Sequence, residues 1–162
     1  MLIHAFNWKK LSVCAALGYR WDGKRYLLWF QTKPGSYNDE SLIVFLCAVK
    51  KHLRGQKAVL IWDGLPAHKS RKMKQYLESQ CRWLALEVLP GYSPDLNPVE
   101  DLWGNVKGQE LANRCVTGLG EAEISVSNGM ERVRQSTLPF SFLHHAGLFF
   151  LTSSVTLLCE TQ

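Results

Sequence analysis

Two carboxylates stand at positions in the sequence where a folded chain can use them for chemistry. Asp63 follows the short apolar run 58–62, which is typical of a strand buried on both faces, and Glu100 falls in the first turn of a predicted helix capped by Asn97. Ligand sites in open α/β sheets collect at the carboxyl ends of strands. If the sheet brings the two acids together, their oxygens can hold Mg²⁺ or Mn²⁺ and leave positions open for water and phosphate. The pair therefore predicts metal-dependent phosphoryl transfer.

Both acids also have plain structural interpretations. Asp63 and Gly64 form a dipeptide that commonly ends a strand in a turn, and Glu100 stands where a glutamate often closes a capping box with Asn97. A two-metal mechanism also needs more than two acids, because a further carboxylate normally helps to hold two ions that lie about 3.5–4 Å apart. Spacing alone leaves the catalytic and the structural interpretations open.

The first elements that must position these acids are a hairpin and a helix. Residues 11–18 and 25–32 are rich in β-forming side chains and flank an Asp-Gly pair, which is a strong hairpin signal. Asn38 or Asp39 then caps a helix whose apolar side chains recur at helical spacing. The sequence therefore predicts an antiparallel hairpin followed by an amphipathic helix.

Strands and helices alternate in the middle of the chain, which favours a parallel pair of strands joined by a crossover helix. The predicted elements are a strand at 58–62, a basic helix at 70–80, a strand at 83–89, an ordered proline-rich loop at 90–98, a helix from 98 toward 111 and a helix over about 119–135. In the helix after the loop, Trp103 stands at helical spacing with Val99 and Val106. We interpret Trp103 as a core residue and not as a platform for stacked bases.

The composition fits one globular domain with a mildly basic surface. Of 162 residues, 46% are apolar and 20% are charged, and 19 Lys and Arg residues outnumber 14 Asp and Glu residues. The net charge of +5 attracts polyanions, although a bias of this size is also common in proteins that never contact nucleic acid. The five cysteines form no Cys-x-x-Cys pair, which argues against a structural metal site or a disulfide framework.

The sequence gives no targeting or membrane-spanning signal. The first ten residues lack the apolar core of a secretion signal. The apolar stretch 146–159 is shorter than the ~20 residues that cross a bilayer, and hydroxyl side chains interrupt it. Together with the cysteine pattern, these features predict a protein of a reducing compartment, the cytoplasm, with no membrane partner.

Two segments closely resemble the motifs around the second and third acids of insertion-sequence transposases in the Tc/mariner superfamily. They are LIWDGLPAHKS at 60–70 and LPGYSPDLNPVEDLWGNVKG at 89–108. The resemblance extends from about Phe6 to Leu148, and it implies a DDE superfamily endonuclease domain with an α/β, ribonuclease H-like mixed sheet and flanking helices. Such transposases bind Mg²⁺, hydrolyse DNA at the ends of the element and join the freed 3′-hydroxyl to target DNA.

The resemblance assigns roles to individual residues. Asp63 and Glu100 match the second and third acids, which implies that both are catalytic ligands for Mg²⁺ or Mn²⁺. His68 matches a histidine after the first motif's turn, where it either lies near the bound phosphate or metal or caps the next helix. Four basic side chains either contact the DNA backbone or form a solvated helix face; they are Lys69, Arg71, Lys72 and Lys74.

The chain departs from the family on its N-terminal side. Members begin with helix-turn-helix modules, and their first catalytic Asp lies on a central strand that precedes the strand near Leu11; we find no counterpart of either. We therefore expect a partial catalytic domain over 1–148 that lacks this strand and exposes two unpaired edges, at 11–18 and 58–62. Residues 149–162 are interpreted as a C-terminal tail of uncertain origin. Four other acids do not replace the first catalytic Asp, because they fall in predicted turns, loops or helix starts: Asp22, Asp39, Glu40 and Asp95.

Three explanations of the missing segment stay open: a decayed insertion-sequence remnant, a second reading frame joined to an upstream one by frameshifting, and a wrongly assigned start codon. The resemblance predicts a catalytic-domain fragment of a DNA transposase that cleaves and joins DNA strands, and we expect little or no strand transfer from the fragment alone. The alternative is a catalytically inactive remnant that binds DNA or a partner. The expected partners are transposon ends, target DNA, a second copy in a homodimer and an upstream fragment that supplies the first strand.

Overall fold

The fold is a mixed sheet with helices on both faces. A computed structural model describes residues 10–20, 22–91, 93–112, 118–146 and 155–161. The predictions about residues 1–9 and about the apolar stretch between 147 and 154 lie outside the described residues. In the described ranges, no helix has both the length and the apolar character needed to span a membrane.

The sheet contains the predicted hairpin and the predicted parallel pair. Its strands are β1 (Leu11–Tyr19), β2 (Tyr26–Pro34), β3 (Ala58–Trp62), β4 (Leu84–Val88) and β5 (Val155–Thr161). Their order across the sheet is β2-β1-β5-β3-β4. β1 and β2 are antiparallel neighbours, and β3 and β4 are parallel neighbours, so both pairings agree with the sequence prediction.

The centre of the sheet is occupied by the C-terminal segment. β5 pairs antiparallel with β1, where Glu160 lies opposite Ala15, and parallel with β3, where Cys159 lies beside Trp62. The expectation of two unpaired edges is therefore wrong, because the edges of β1 and β3 that face each other both bond to β5. β5 takes the central position that was expected to be empty.

The described helices are α1 (Asp39–Leu53), α2 (Arg71–Ser79), α3 (Pro98–Val106), α4 (Leu119–Arg134) and α5 (Leu138–His145). Helices α1 and α3 begin at the caps that the sequence indicates, Asn38 and Asn97. Asn38 and Ser41 form a capping box at the start of α1, and Ser70 caps α2. The helix predicted from residue 98 toward 111 is α-helical only to Val106 and continues as a π-helical turn, Lys107–Leu111.

Two apolar layers attach the helices to the sheet. α1 and α2 cover one face, where Leu46 and Met73 are fully buried. α3, α4 and α5 cover the other, which we call the α3 face, and there Leu102 packs with Ala15 of β1. Trp103 is buried in this layer, which confirms its interpretation as a core residue. The packing of α3 on the sheet holds the first turn of α3 at the ends of the central strands.

Candidate active site

Asp63 follows the last residue of β3 and carries an ionised carboxylate. Its Oδ1 accepts a hydrogen bond of 3.2 Å from the backbone N–H of Leu65 and lies 2.9 Å from Nδ1 of His68. Partial burial acts to raise the pKa of Asp63, but the hydrogen bonds from His68 and Leu65 and the positive charge of Lys69 outweigh it and hold the pKa below its usual value. Asp63 is therefore in the form that binds a cation.

His68 contacts Asp63 and holds its carboxylate in one orientation. Its ring stacks on Trp62 with centroids 4.0 Å apart and planes within 1°. Nδ1 lies close to two oxygens of Asp63, the carboxylate Oδ1 at 2.9 Å and the backbone carbonyl at 3.1 Å. Because both oxygens accept, Nδ1 is the protonated ring nitrogen. Nε2 is buried and finds no hydrogen-bond partner among the described residues. Helix α2 is capped by Ser70, so His68 is not its cap. The position of His68 near a bound phosphate or metal stays a prediction.

Glu100 is positioned by the start of α3. Asn97 caps the helix by accepting a hydrogen bond of 3.2 Å from the backbone N–H of Val99, and Pro98 occupies the first helical position. The backbone N–H of Glu100 bonds to the carbonyl of Asn97 at 2.9 Å. This start places the Glu100 side chain at the wall of a cavity.

A cavity of about 480 Å³ contains both predicted acids. Asp63 and Glu100 line it together with Lys69 and with Ser93 of the proline-rich loop. The loop begins beside the end of β3. There the backbone N–H of Leu89, the residue before the loop, donates a hydrogen bond of 2.9 Å to the carbonyl of Trp62. The structure thus brings together two acids that are far apart in the sequence. Ser93 was not among the predicted site residues, since its motif position gave no chemical signal.

Of the four basic residues predicted to contact DNA, Lys69 lines the cavity and the others lie outside its lining. The Lys69 ammonium group lies over Gly64: a Cβ added to Gly64 would come within 2.9 Å of it. A side chain at position 64 would therefore displace the ammonium group. Lys72 forms an ion pair with Glu40 of α1. Arg71 and Lys74 are exposed on α2.

The donor set at this cavity fits a hard divalent cation. The lining includes two carboxylates, the hydroxyl group of Ser93 and the amide group of Asn97, without a thiol or imidazole. Oxygen donors of this kind suit Mg²⁺ and Mn²⁺, which keep several water or phosphate ligands when protein ligands are few. Among the side chains that the structure describes, no three Asp, Glu, His or Cys residues form a group that can hold a metal.

Residues 6–119, a stretch that includes both acids, match the protein family described as DDE superfamily endonuclease. The chain belongs to this family. Members of the DDE endonuclease superfamily generally use divalent metal ions, in agreement with the oxygen donors at the cavity. The match also confirms the relationship that the two sequence motifs indicate.

The fold of this DDE endonuclease domain is similar to a solved transposase structure. The crystal structure of the catalytic domain of the Mos1 mariner transposase matches with a TM-score of 0.52 and 21% sequence identity. The similarity covers 76% of this chain and 61% of that chain, so the present chain spans about three fifths of the solved domain. This likeness shows a shared ribonuclease H-like fold. No curated protein matches the chain.

Replacing His68 with Phe is expected to weaken Mn²⁺ binding by about tenfold, because the residues that hold a metal ligand in place typically contribute 10–100-fold to affinity. Phenylalanine preserves an aromatic ring on Trp62 and removes the hydrogen bond to Asp63. It also removes the unpartnered Nε2, which offsets part of the loss of the bonds to Asp63, so the free energy of unfolding should change by about 1 kcal/mol or less. Calorimetric titration with Mn²⁺ and chemical unfolding measure the two quantities, and unchanged affinity in a folded variant would rule out this role.

Proposed function

We propose that the chain is the catalytic part of a DNA transposase that cleaves and joins DNA strands by phosphoryl transfer with bound Mg²⁺. Asp63 and Glu100 are the metal ligands in this proposal. The observation that carries it is the presence of both carboxylates on one cavity at the carboxyl end of β3. The family match supports the same pair, because it spans both acids.

In this proposal the chain's own residues prepare the cavity for a DNA phosphate. When bound, the metal ions activate the attacking oxygen and stabilise the leaving oxygen at phosphorus. His68 keeps the Asp63 carboxylate oriented, and Glu100 presents a second carboxylate from the first turn of α3. The ammonium group of Lys69 on the same cavity neutralises part of the phosphate charge.

The proposed substrates are the transposon ends and the target DNA. The basic residues Lys69, Arg71, Lys72 and Lys74 are exposed next to the cavity or on α2, where they can neutralise backbone phosphates. The proposal does not need a strand from an upstream fragment, because β5 already lies between β1 and β3.

The metal-ligand assignment predicts that Asp63→Asn and Glu100→Gln each weaken Mn²⁺ binding by at least about tenfold, since each removes the charge of a direct ligand while nearly keeping its shape. Calorimetric titration and the electron paramagnetic resonance signal of free Mn²⁺ measure the affinity. Glu78→Gln is the matched control, because Glu78 is exposed on α2 and does not line the cavity. Equal affinities in all three variants would refute the assignment.

Catalysis is tested separately from metal binding. The proposal predicts that the chain with Mg²⁺ or Mn²⁺ nicks or joins DNA and that Asp63→Asn abolishes this activity. If DNA binds with an affinity that neither chelation nor Glu100→Gln changes, and no strand is cut, the chain is instead an inactive DNA-binding remnant.

A further inference from the structure

A second cavity, which we call the hairpin cavity, lies at the opposite end of the sheet from Asp63. Its volume is about 360 Å³, and it is lined by residues 20 and 24–27 of the β1–β2 hairpin, by residues 52, 53 and 56 at the end of α1, and by Phe140 of α5. Tyr19 at the end of β1 lies opposite Thr156 of β5, which lies beside Val59 near the start of β3. Asp63 follows the other end of β3. The five residues of β3, at about 3.3 Å each, separate the two cavities by roughly 15 Å.

The lining of the hairpin cavity is basic and includes no acid. Arg20, Lys24 and Arg25 come from the hairpin, and His52 comes from α1. Arg20 forms an ion pair with Asp22 at 3.5 Å. Among the described residues, neither Lys24 nor Arg25 forms an ion pair with an acid. Two positive charges at this cavity are therefore not neutralised by the part of the chain that the structure describes.

The hairpin holds these cations on an ordered turn. The backbone N–H of Arg20 donates to the carbonyl of Arg25 at 3.0 Å, and the backbone N–H of Gly23 donates to the carbonyl of Arg20 at 2.9 Å. The backbone N–H of Lys24 donates to Oδ1 of Asp22 at 3.2 Å. Gly23 has a φ of 65°, a left-handed conformation that glycine adopts without strain. Because the turn is fixed before a ligand binds, less conformational freedom is lost on binding.

The donor groups of the lining fit a phosphate group. Arginine presents a planar fork of N–H donors that can bond two phosphate oxygens at once, and lysine adds a compact positive charge. The side-chain amide of Gln56 adds a neutral donor. No carboxylate in the lining competes for these donors. The ligand class that the hairpin cavity suits is therefore an oxyanion with several acceptor oxygens.

We infer that the hairpin cavity binds phosphate groups of duplex DNA, as a DNA contact separate from the cavity of Asp63 and Glu100. The choice of DNA as the source of the phosphate rests on the proposed function. Lys24 and Arg25 are exposed, so the backbone of a duplex can reach them. The contact needs no divalent ion, because side chains supply its positive charge. Each phosphate contact of this kind adds affinity that decreases as the salt concentration rises.

The double substitution Lys24→Gln with Arg25→Gln tests the inference. In EDTA, fluorescence anisotropy with a labelled duplex should show that the DNA affinity at low salt falls by at least about tenfold, and that the slope of log affinity against log salt shrinks by about 2. The matched control is Lys10→Gln with Arg82→Gln, because both residues are exposed outside the cavity and their loss changes the net charge equally. Thermal unfolding checks that both variants fold. Equal DNA affinities of the two double variants would overturn the inference.

NMR spectra of the unchanged chain identify the source of the phosphate. The duplex should shift the amide resonances of Lys24 and Arg25, and inorganic phosphate should shift the same resonances only at a much higher concentration. If inorganic phosphate shifts them and the duplex does not, the cavity takes a free anion and the inference is wrong.

The outcomes separate this inference from the proposed function. If Asp63→Asn abolishes Mn²⁺ binding and strand cleavage while Lys24→Gln with Arg25→Gln binds DNA as its control does, the inference falls and the proposed function stands. If the chain neither binds Mn²⁺ nor cuts DNA, but its DNA affinity depends on Lys24 and Arg25, the proposed function falls and the hairpin cavity stands as a DNA contact.

Discussion

A chain shortened to end at Ser154 is expected to lose cooperative folding. The deletion removes β5, which bonds to β1 on one side and to β3 on the other, and it removes Leu157, which is fully buried. The loss leaves two strand edges unpaired in the middle of the sheet and a gap under α1. Since whole domains are stable by only about 5–15 kcal/mol, this loss exceeds what the rest of the fold can offset.

Circular dichroism during heating and amide dispersion in NMR spectra measure the effect of the deletion. Leu157→Ala is the graded control, because it keeps the backbone pairing of β5 and should lower the free energy of unfolding by about 2–5 kcal/mol. A shortened chain that unfolds cooperatively at the original temperature would show that β5 is dispensable. That result would contradict the placement of β5 at the centre of the sheet.

The second large effect is expected for Leu60→Ala in β3. Leu60 is fully buried in the apolar layer that packs the sheet against α1. Its truncation should lower the free energy of unfolding by about 2–5 kcal/mol, because it loses buried surface and leaves a cavity. Its register partner in β4, Leu86, is 39% exposed. Leu86→Ala removes the same atoms from the neighbouring strand and should cost less than about 1 kcal/mol.

Chemical denaturation of the two leucine variants gives the free energies directly. The large difference between them follows from the layer that α1 and α2 form on one face of the sheet. Equal losses of unfolding free energy in the two variants would mean that β3 does not lie in the interior. Asp63 would then not follow a buried strand.

The local elements were predictable because their signals are local. The hairpin follows from β-forming runs around an Asp-Gly pair, and the starts of α1 and α3 follow from Asn38 and Asn97. The parallel pairing of β3 and β4 follows from the crossover between them. Each of these features depends on residues that are neighbours in the sequence or are joined by one helix.

The position of β5 was not predictable in this way. Its residues pair with strands that lie far earlier in the chain, and no periodicity within 155–161 specifies which edge they join. The family resemblance ends near Leu148, so the sequence predicts only a C-terminal tail for this segment.

The candidate site was predictable in part. The motifs identified Asp63 and Glu100, and the structure places both on one cavity. The support around them depends on three-dimensional contacts that the sequence does not encode locally. These include the stacking of His68 on Trp62 and the position of Lys69 over Gly64.

The central claim, that Asp63 and Glu100 bind one metal centre, is tested most directly by anomalous diffraction from crystals of the chain grown with Mn²⁺. A manganese peak is expected in the cavity, with carboxylate oxygens of both residues in direct coordination. Manganese bound at another place, or a cavity in which the two carboxylates contact no common ion while Mn²⁺ is saturating, would contradict it.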